Sequence, residues 1–237
     1  MHDSIKNILT IDSSSNVLRL ALSFNGDRLV KSEELAEQSH GQILLKKIDA
    51  LFGSAGISKT ELDVIIVSTG PGSFTGLRIG IATVKGLAQV VGKPVIPISS
   101  LQTIAMNLPL SPYPICAFLD ARKQEVYTQL FKWDSVRGPI AVESATVLPP
   151  QQVLDSLTGD VALVGDGVLS YRQLIEDSLG GRAFIPTASA HQLRASQAVW
   201  LAIQAWSSDL TCRAADIVPI YIRPSDAELN LSTKRSR

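Results

Sequence analysis

The alternation of apolar and polar positions divides the chain into short strands followed by helices, and it does so twice. Ile8 to Ile11 is a short apolar run. After the polar Asp12-Ser13-Ser14-Ser15-Asn16, Leu18, Leu20 and Leu22 alternate with Arg19, Ala21 and Ser23 between Val17 and Phe24. A period of two predicts strands. Asn25-Gly26 then predicts a tight hairpin, because both residue types accept positive φ, with Asp27 to Glu33 returning as a third antiparallel strand. Beyond this meander the pattern predicts a helix over Ile43–Phe52 closed by Gly53, a strand over Val64–Val67 and a helix over Leu77–Val91. A strand over Val95–Ile98 and a helix beginning near Leu101 follow.

The order repeats after Pro109-Leu110-Ser111-Pro112-Tyr113-Pro114, a proline-rich boundary. Ile115 to Leu119 runs into Asp120 as Ile8 to Ile11 runs into Asp12. Val126–Phe131, Ala141–Leu148 and Val161–Val164 read as further strands, with helices near Val153–Leu157, Tyr171–Leu179 and Gln192–Trp206. Length alone allows one large domain or two small lobes. The degenerate tandem duplication points to an α/β fold of two lobes with mixed sheets, residues 1–108 and 109–237.

Of the 237 residues, 45% are hydrophobic and 19% charged, a balance that supports a buried core and excludes wholesale disorder. The 22 Lys+Arg against 22 Asp+Glu leave no net field to collect nucleic-acid phosphates, so any contact with RNA is local or made through a partner. Two cysteines, Cys116 and Cys212, are too few for a disulfide-stapled scaffold and suit a reducing compartment; Cys116, in an apolar run, reads as a small core residue. No stretch reads as a signal peptide or a membrane span, so the expectation is a soluble, cytoplasmic protein without membrane contact.

The most unusual segment is Ser68-Thr69-Gly70-Pro71-Gly72-Ser73-Phe74-Thr75-Gly76-Leu77-Arg78-Ile79-Gly80, a strand end entering a helix through a glycine-rich turn. It could offer backbone N–H groups to an anion. It is not a P-loop, because Leu77 stands where lysine belongs, nor a dinucleotide fingerprint, because Thr75 stands at the third glycine position. The favoured reading is a tight connection with glycines in strained φ/ψ. In the helix that follows, Leu77, Ile81, Val84, Ala88 and Val91 form one apolar stripe, while Ile79, Ala82, Thr83, Gly86 and Val90 form another, with Arg78 and Lys85 along one flank. A helix dry on both sides needs cover on both sides, from a partner or from the chain's own second half. The preceding helix adds a broad stripe (Leu44, Leu45, Ile48, Leu51, Phe52) and a weaker one (Ile43, Ala50).

Asp12 and Asp120 end the first strand of each repeat, where carboxylates could face an interlobe cleft and hold a metal–nucleotide complex. The turns after them lack phosphate-cradling glycines, which favours turn-capping aspartates. The three histidines, at 2, 40 and 191, have no metal-ligand spacing, and no Gly-x-Ser-x-Gly elbow is present. The basic tail Lys234, Arg235, Arg237 reads as a solvated end.

Ile8-Leu9-Thr10-Ile11-Asp12-Ser13-Ser14, Gly70 to Gly80, Leu119-Asp120-Ala121-Arg122 with Glu125-Val126-Tyr127, Gly165-Asp166-Gly167 and Pro219-Ile220-Tyr221-Ile222-Arg223 closely resemble the bacterial tRNA threonylcarbamoyladenosine biosynthesis family TsaB, or YeaZ. The resemblance implies an actin-like (ASKHA, glycoprotease-type) fold of two ribonuclease-H-like lobes. It also implies a noncatalytic partner of the paralogous catalytic subunit TsaD, working with the ATPase TsaE in threonylcarbamoyl transfer to N6 of adenosine 37 of ANN-decoding tRNAs. On this resemblance tRNA is met only through the complex, and the chain alone forms a homodimer. In the catalytic paralogue a His-x-x-x-His pair on the first helix holds a metal; here His40 matches the first position and Leu44 occupies the second, so neither metal nor cofactor is expected. The partner surface expected from the first two helices is His40, Leu44, Ile48, Leu51, Arg78, Ile79, Ala82, Thr83, Gly86 and Val90. Asp12 and Asp120 are left as a vestigial nucleotide cleft.

Overall fold

The structure, a computed structural model, describes residues 5–35, 40–207 and 211–223. The opening meander is β1 (Ile8–Asp12), β2 (Val17–Phe24) and β3 (Arg28–Leu35); β4 (Val64–Gly70) and β5 (Val95–Ser99) complete a sheet of order β3-β2-β1-β4-β5. The hairpin forms as its dipeptide dictates, Asn25 and Gly26 having φ of 55° and 85°. β1 runs antiparallel to β2 and parallel to β4.

Its continuous apolar reading follows from cover on both faces. Leu9 and Ile11 point to one core and Ile8 to another. Helices α1 (His40–Ala55) and α2 (Phe74–Val91) lie side by side on the first of these faces.

A second sheet repeats the plan with β6 (Ile115–Asp120), β7 (Val126–Asp134), β8 (Gly138–Ala141), β10 (Val161–Val164) and β11 (Ala183–Phe184), in the order β11-β10-β6-β7-β8. Read from β8, the order matches that of the first sheet: two antiparallel pairings, then two parallel ones. The run expected as a single strand over 141–148 is broken at exposed Glu143 and Ser144. β8 pairs with the far end of β7, and a short β9 (Thr146–Leu148) pairs with its start. α4 (Pro150–Ser156), α5 (Asp166–Ser170) and α6 (Arg172–Leu179) cover the outer side of this sheet around Phe118 and Leu163. α3 (Ser100–Ala105) and α7 (Ala195–Ser207) fill the space between the sheets: α3 against β6, α7 against β1, β2 and β5. The five layers are thus α1/α2, sheet, α3/α7, sheet, α4–α6.

Two of the boundaries that differ from expectation have a clear local cause. α1 runs through Gly53, which sits on the exposed side, and ends only where Gly56 at φ 68° returns its N–H to the Phe52 carbonyl. α2 starts earlier than Leu77, because Ser73 caps it by accepting from the Gly76 N–H.

Leu44, Ile48 and Leu51, expected on the partner surface, are 0%, 1% and 3% exposed and belong to the core beneath α1. The outer side of α1 carries Leu45 instead, 59% exposed. The two faces give opposite stability signatures. Leu44→Ala should cost about 2–5 kcal/mol in denaturant unfolding, whereas Leu45→Ala should change stability by no more than about 0.5 kcal/mol.

Candidate functional site

A cleft of about 410 Å³ opens between the two sheets, a size that suits a small ligand. One wall is the β1–β2 turn with the start of α2: Ser14, Ser15, Asn16, Gly72, Ser73 and Thr75. The other is the end of β6 with its hairpin loop and the start of α5: Asp120, Arg122, Tyr127 and Asp166. Each wall is therefore built where a first strand ends, as the duplication requires.

The glycine-rich segment explains the first wall. Of its glycines only Gly70 has positive φ, at 110°, so backbone strain does not account for the others. Gly72, Gly76 and Gly80 recur every four residues and line one side of the helix entry. A Cβ on Gly72 would lie 2.2 Å from the Ser14 carbonyl oxygen, on Gly76 2.0 Å from that of Ser13, and on Gly80 2.2 Å from the Ser13 hydroxyl oxygen. The β1–β2 turn is seated directly on the glycine side, pinned by the Ser73 N–H donating to the Ser14 carbonyl at 2.6 Å and the Ser13 hydroxyl donating to the Gly76 carbonyl at 2.9 Å. These glycines permit close approach of protein backbone.

The two aspartates do not lie equivalently. Asp12 is 5% exposed and sits beneath the cleft, where Oδ1 accepts from the Ser14 N–H at 2.9 Å. Asp120 lines the cleft; its Oδ1 accepts from the Arg122 N–H at 2.7 Å, and Oδ2 pairs with the Arg122 guanidinium at 3.3 Å. Both carboxylates cap their own turns. Asp166, which sequence reasoning did not single out as a site residue, accepts the Asp120 N–H at 2.9 Å. Burial, followed by the Asp120 charge, pushes the Asp166 carboxyl above its usual range. Its signal in the sequence was the flanking pair Gly165 and Gly167: Cβ atoms there would lie 2.3 and 2.8 Å from the Phe118 carbonyl oxygen.

Behind Asp166, His191 is buried, accepts the Gly165 N–H at Nδ1 (3.3 Å) and donates from Nε2 to the Pro186 carbonyl (3.2 Å). Burial holds its pKa below the usual value. Arg122, Lys123 and Gln124 adopt φ of 60°, 53° and 59°, three successive left-handed residues without a glycine. That conformation costs on the order of 1 kcal/mol for each such residue.

On the outer side of α2, Ala82, Gly86 and Val90 are exposed and Thr83 is half-buried; Ile79, expected on the same surface, instead lines the cleft and packs against the core beneath α1 and α2. Arg78 leaves that side to lie over the Phe74 ring and to donate to the Tyr221 hydroxyl. α1 begins at His40, whose side chain falls outside the described residues, as does the basic tail at 234–237. Among the described residues no three His, Cys, Asp or Glu side chains gather at metal-binding distance, and no helix is long and apolar enough to cross a membrane.

Two sheets of duplicated order, meeting at a cleft between the ends of their first strands, define an actin-like protein of two ribonuclease-H-like lobes. Residues 32–231 match the family model described as "TsaD: tRNA N6-adenosine threonylcarbamoyltransferase". The chain is 30% identical to the tRNA threonylcarbamoyladenosine biosynthesis protein TsaB of Bacillus subtilis (93% of this chain, 96% of the relative) and 31% identical to that of Haemophilus influenzae (91% and 93%). The structure of YeaZ from Pseudomonas aeruginosa aligns with a TM-score of 0.79 at 29% identity, over 92% of this chain and all of that one. The chain belongs to the TsaB (YeaZ) family, and these relatives support a role in threonylcarbamoyladenosine biosynthesis on tRNA.

Gly76→Ala should lose about 1–3 kcal/mol because the Ser13 backbone must move. Gly86→Ala, with nothing within 4 Å, should gain up to about 1 kcal/mol of helix propensity; thermal unfolding of both variants reads the contrast.

Because burial lowers the His191 pKa in the fold below its unfolded value near 6.5, the unfolded state binds more protons as pH falls through that value. The stability advantage of the wild type over His191→Gln should therefore shrink as pH falls from 7 toward 5, measured by urea unfolding.

Proposed function

We propose that this chain is a noncatalytic subunit that supports threonylcarbamoyl transfer to N6 of adenosine 37 in ANN-decoding tRNAs by docking on TsaD. The observation that carries the reading is the outer side of α2. Ala82 and Gly86 leave the backbone open to close approach, and Val90 is 85% exposed on a helix whose other side is buried. Leu45 on neighbouring α1 adds apolar area to the same layer. Small residues beside exposed aliphatic ones suit a second helix pair packed at close distance.

In this reading the glycine side of α2 is an internal packing surface, with the Ser13 and Ser14 carbonyls seated on it, and the subunit needs no nucleotide of its own. TsaE joins the assembly, tRNA meets the chain only through the complex, and in the absence of TsaD the same surface pairs two copies. The setting is the cytoplasm. The sheets divide between lobes of residues 1–108 and 109–237, with α7, Cys212 and Ile217 crossing back onto the first.

Ala82→Glu and Gly86→Glu place a carboxylate on the docking surface while leaving the core untouched. Each should abolish co-elution with TsaD on size exclusion and, in a reconstituted reaction, reduce adenosine modification to the level seen without this chain. Retention of the complex by both variants would overturn the proposed surface.

A further inference from the structure

Residues 217–223 cross from one core to the other. Ile217 is buried in the core beneath α1 and α2, and Ile222 packs against the core around β6. Between them the Ile220 N–H donates to the Thr69 carbonyl at 2.8 Å. The Tyr221 ring stacks on Phe74 at 4.6 Å while its hydroxyl accepts from Arg78 Nε at 2.9 Å. At the far end Arg223 donates to the Ala121 carbonyl at 2.8 Å and pairs with Glu125, its guanidinium over the Tyr127 ring.

Ala121 and Glu125 are the residues that bracket the left-handed loop Arg122-Lys123-Gln124. The hairpin supplies its own bonds, from the Ala121 N–H to the Glu125 carbonyl and from the Glu125 N–H to the Arg122 carbonyl. Three consecutive strained residues persist only where the surroundings over-determine them. Arg223 is the group from outside the hairpin that grips both brackets, and its side chain is only 15% exposed.

We propose that residues 217–223 form a clasp that holds the β6–β7 loop in its left-handed form, keeps Arg122 at the cleft, and ties the loop through Tyr221 and Arg78 to the margin of α2. Docking that draws Arg78 off Tyr221 loosens the clasp and releases the loop; this second half rests on the α2 surface proposed above for TsaD.

Arg122 and Lys123 are exposed, so limited trypsin digestion of the full chain, with mass spectrometry of the cut after each, reads the loop directly. Arg223→Ala should speed this cut by about tenfold or more, since cleavage follows the population of the open form, with cuts elsewhere unchanged. Arg223→Lys, which keeps the charge but not the two-sided grip, should fall between and serves if the alanine variant fails to fold. Gln124→Asn, added to either variant, should slow the cut again because asparagine tolerates positive φ. An unchanged cut in a folded Arg223 variant overturns the clasp. Adding TsaD to the wild type should accelerate the cut and have little further effect on Arg223→Ala. If TsaD binds and the wild-type cut does not change, the coupling is wrong. If TsaD does not bind, the α2 surface is wrong, and the clasp stands or falls on the isolated chain.

Discussion

The seating of the β1–β2 turn on the glycine side of α2 is the constraint from which the rest of the molecule follows. With Ser13 and Ser14 in contact with positions where no Cβ fits, the helix entry is drawn onto the end of β1. Leu77, Ile81, Val84 and Ala88 then fall onto the sheet. The geometry leaves the opposite side of the helix pointing outward.

The same constraint explains why the cleft is asymmetric although the chain is duplicated. In the first half the strand-end aspartate is buried and spent on its own turn. In the second, Asp120 lines the opening beside Asp166, and a strained hairpin holds Arg122 nearby. Duplication supplies two equivalent strand ends; what packs beside each decides its exposure. The C-terminal part adds further asymmetry, since Ile217 packs on the outer face of the first sheet while α7 packs on its inner face and reaches β7 and β8 of the second through Trp200.

Much of this was legible in the order of residues. The alternation over 17–24, the Asn25-Gly26 hairpin and the stripe of Leu77, Ile81, Val84 and Ala88 specify their elements locally, because each signal lies within a turn or two of the residues it governs. The end of α1 was misplaced because glycine tolerates a helix interior at modest cost, and only φ at Gly56 marks the stop. Leu44, Ile48 and Leu51 read as one apolar stripe, and a stripe does not say whether sheet or partner lies against it. The glycines were read as strained when they are mostly crowded, because crowding comes from Ser13 and Ser14, some sixty residues earlier in the chain.

By itself the sequence determined most of the element order, the tandem repeat and the likeness to TsaB, since periodicity and motif are properties of neighbouring residues. Only the tertiary structure decided which side of each helix is core, that Asp166 and His191 stand behind Asp120, and that residues 217–223 bind the two halves together. Those relations depend on long-range packing, where a side chain's environment is set by segments that no local pattern identifies.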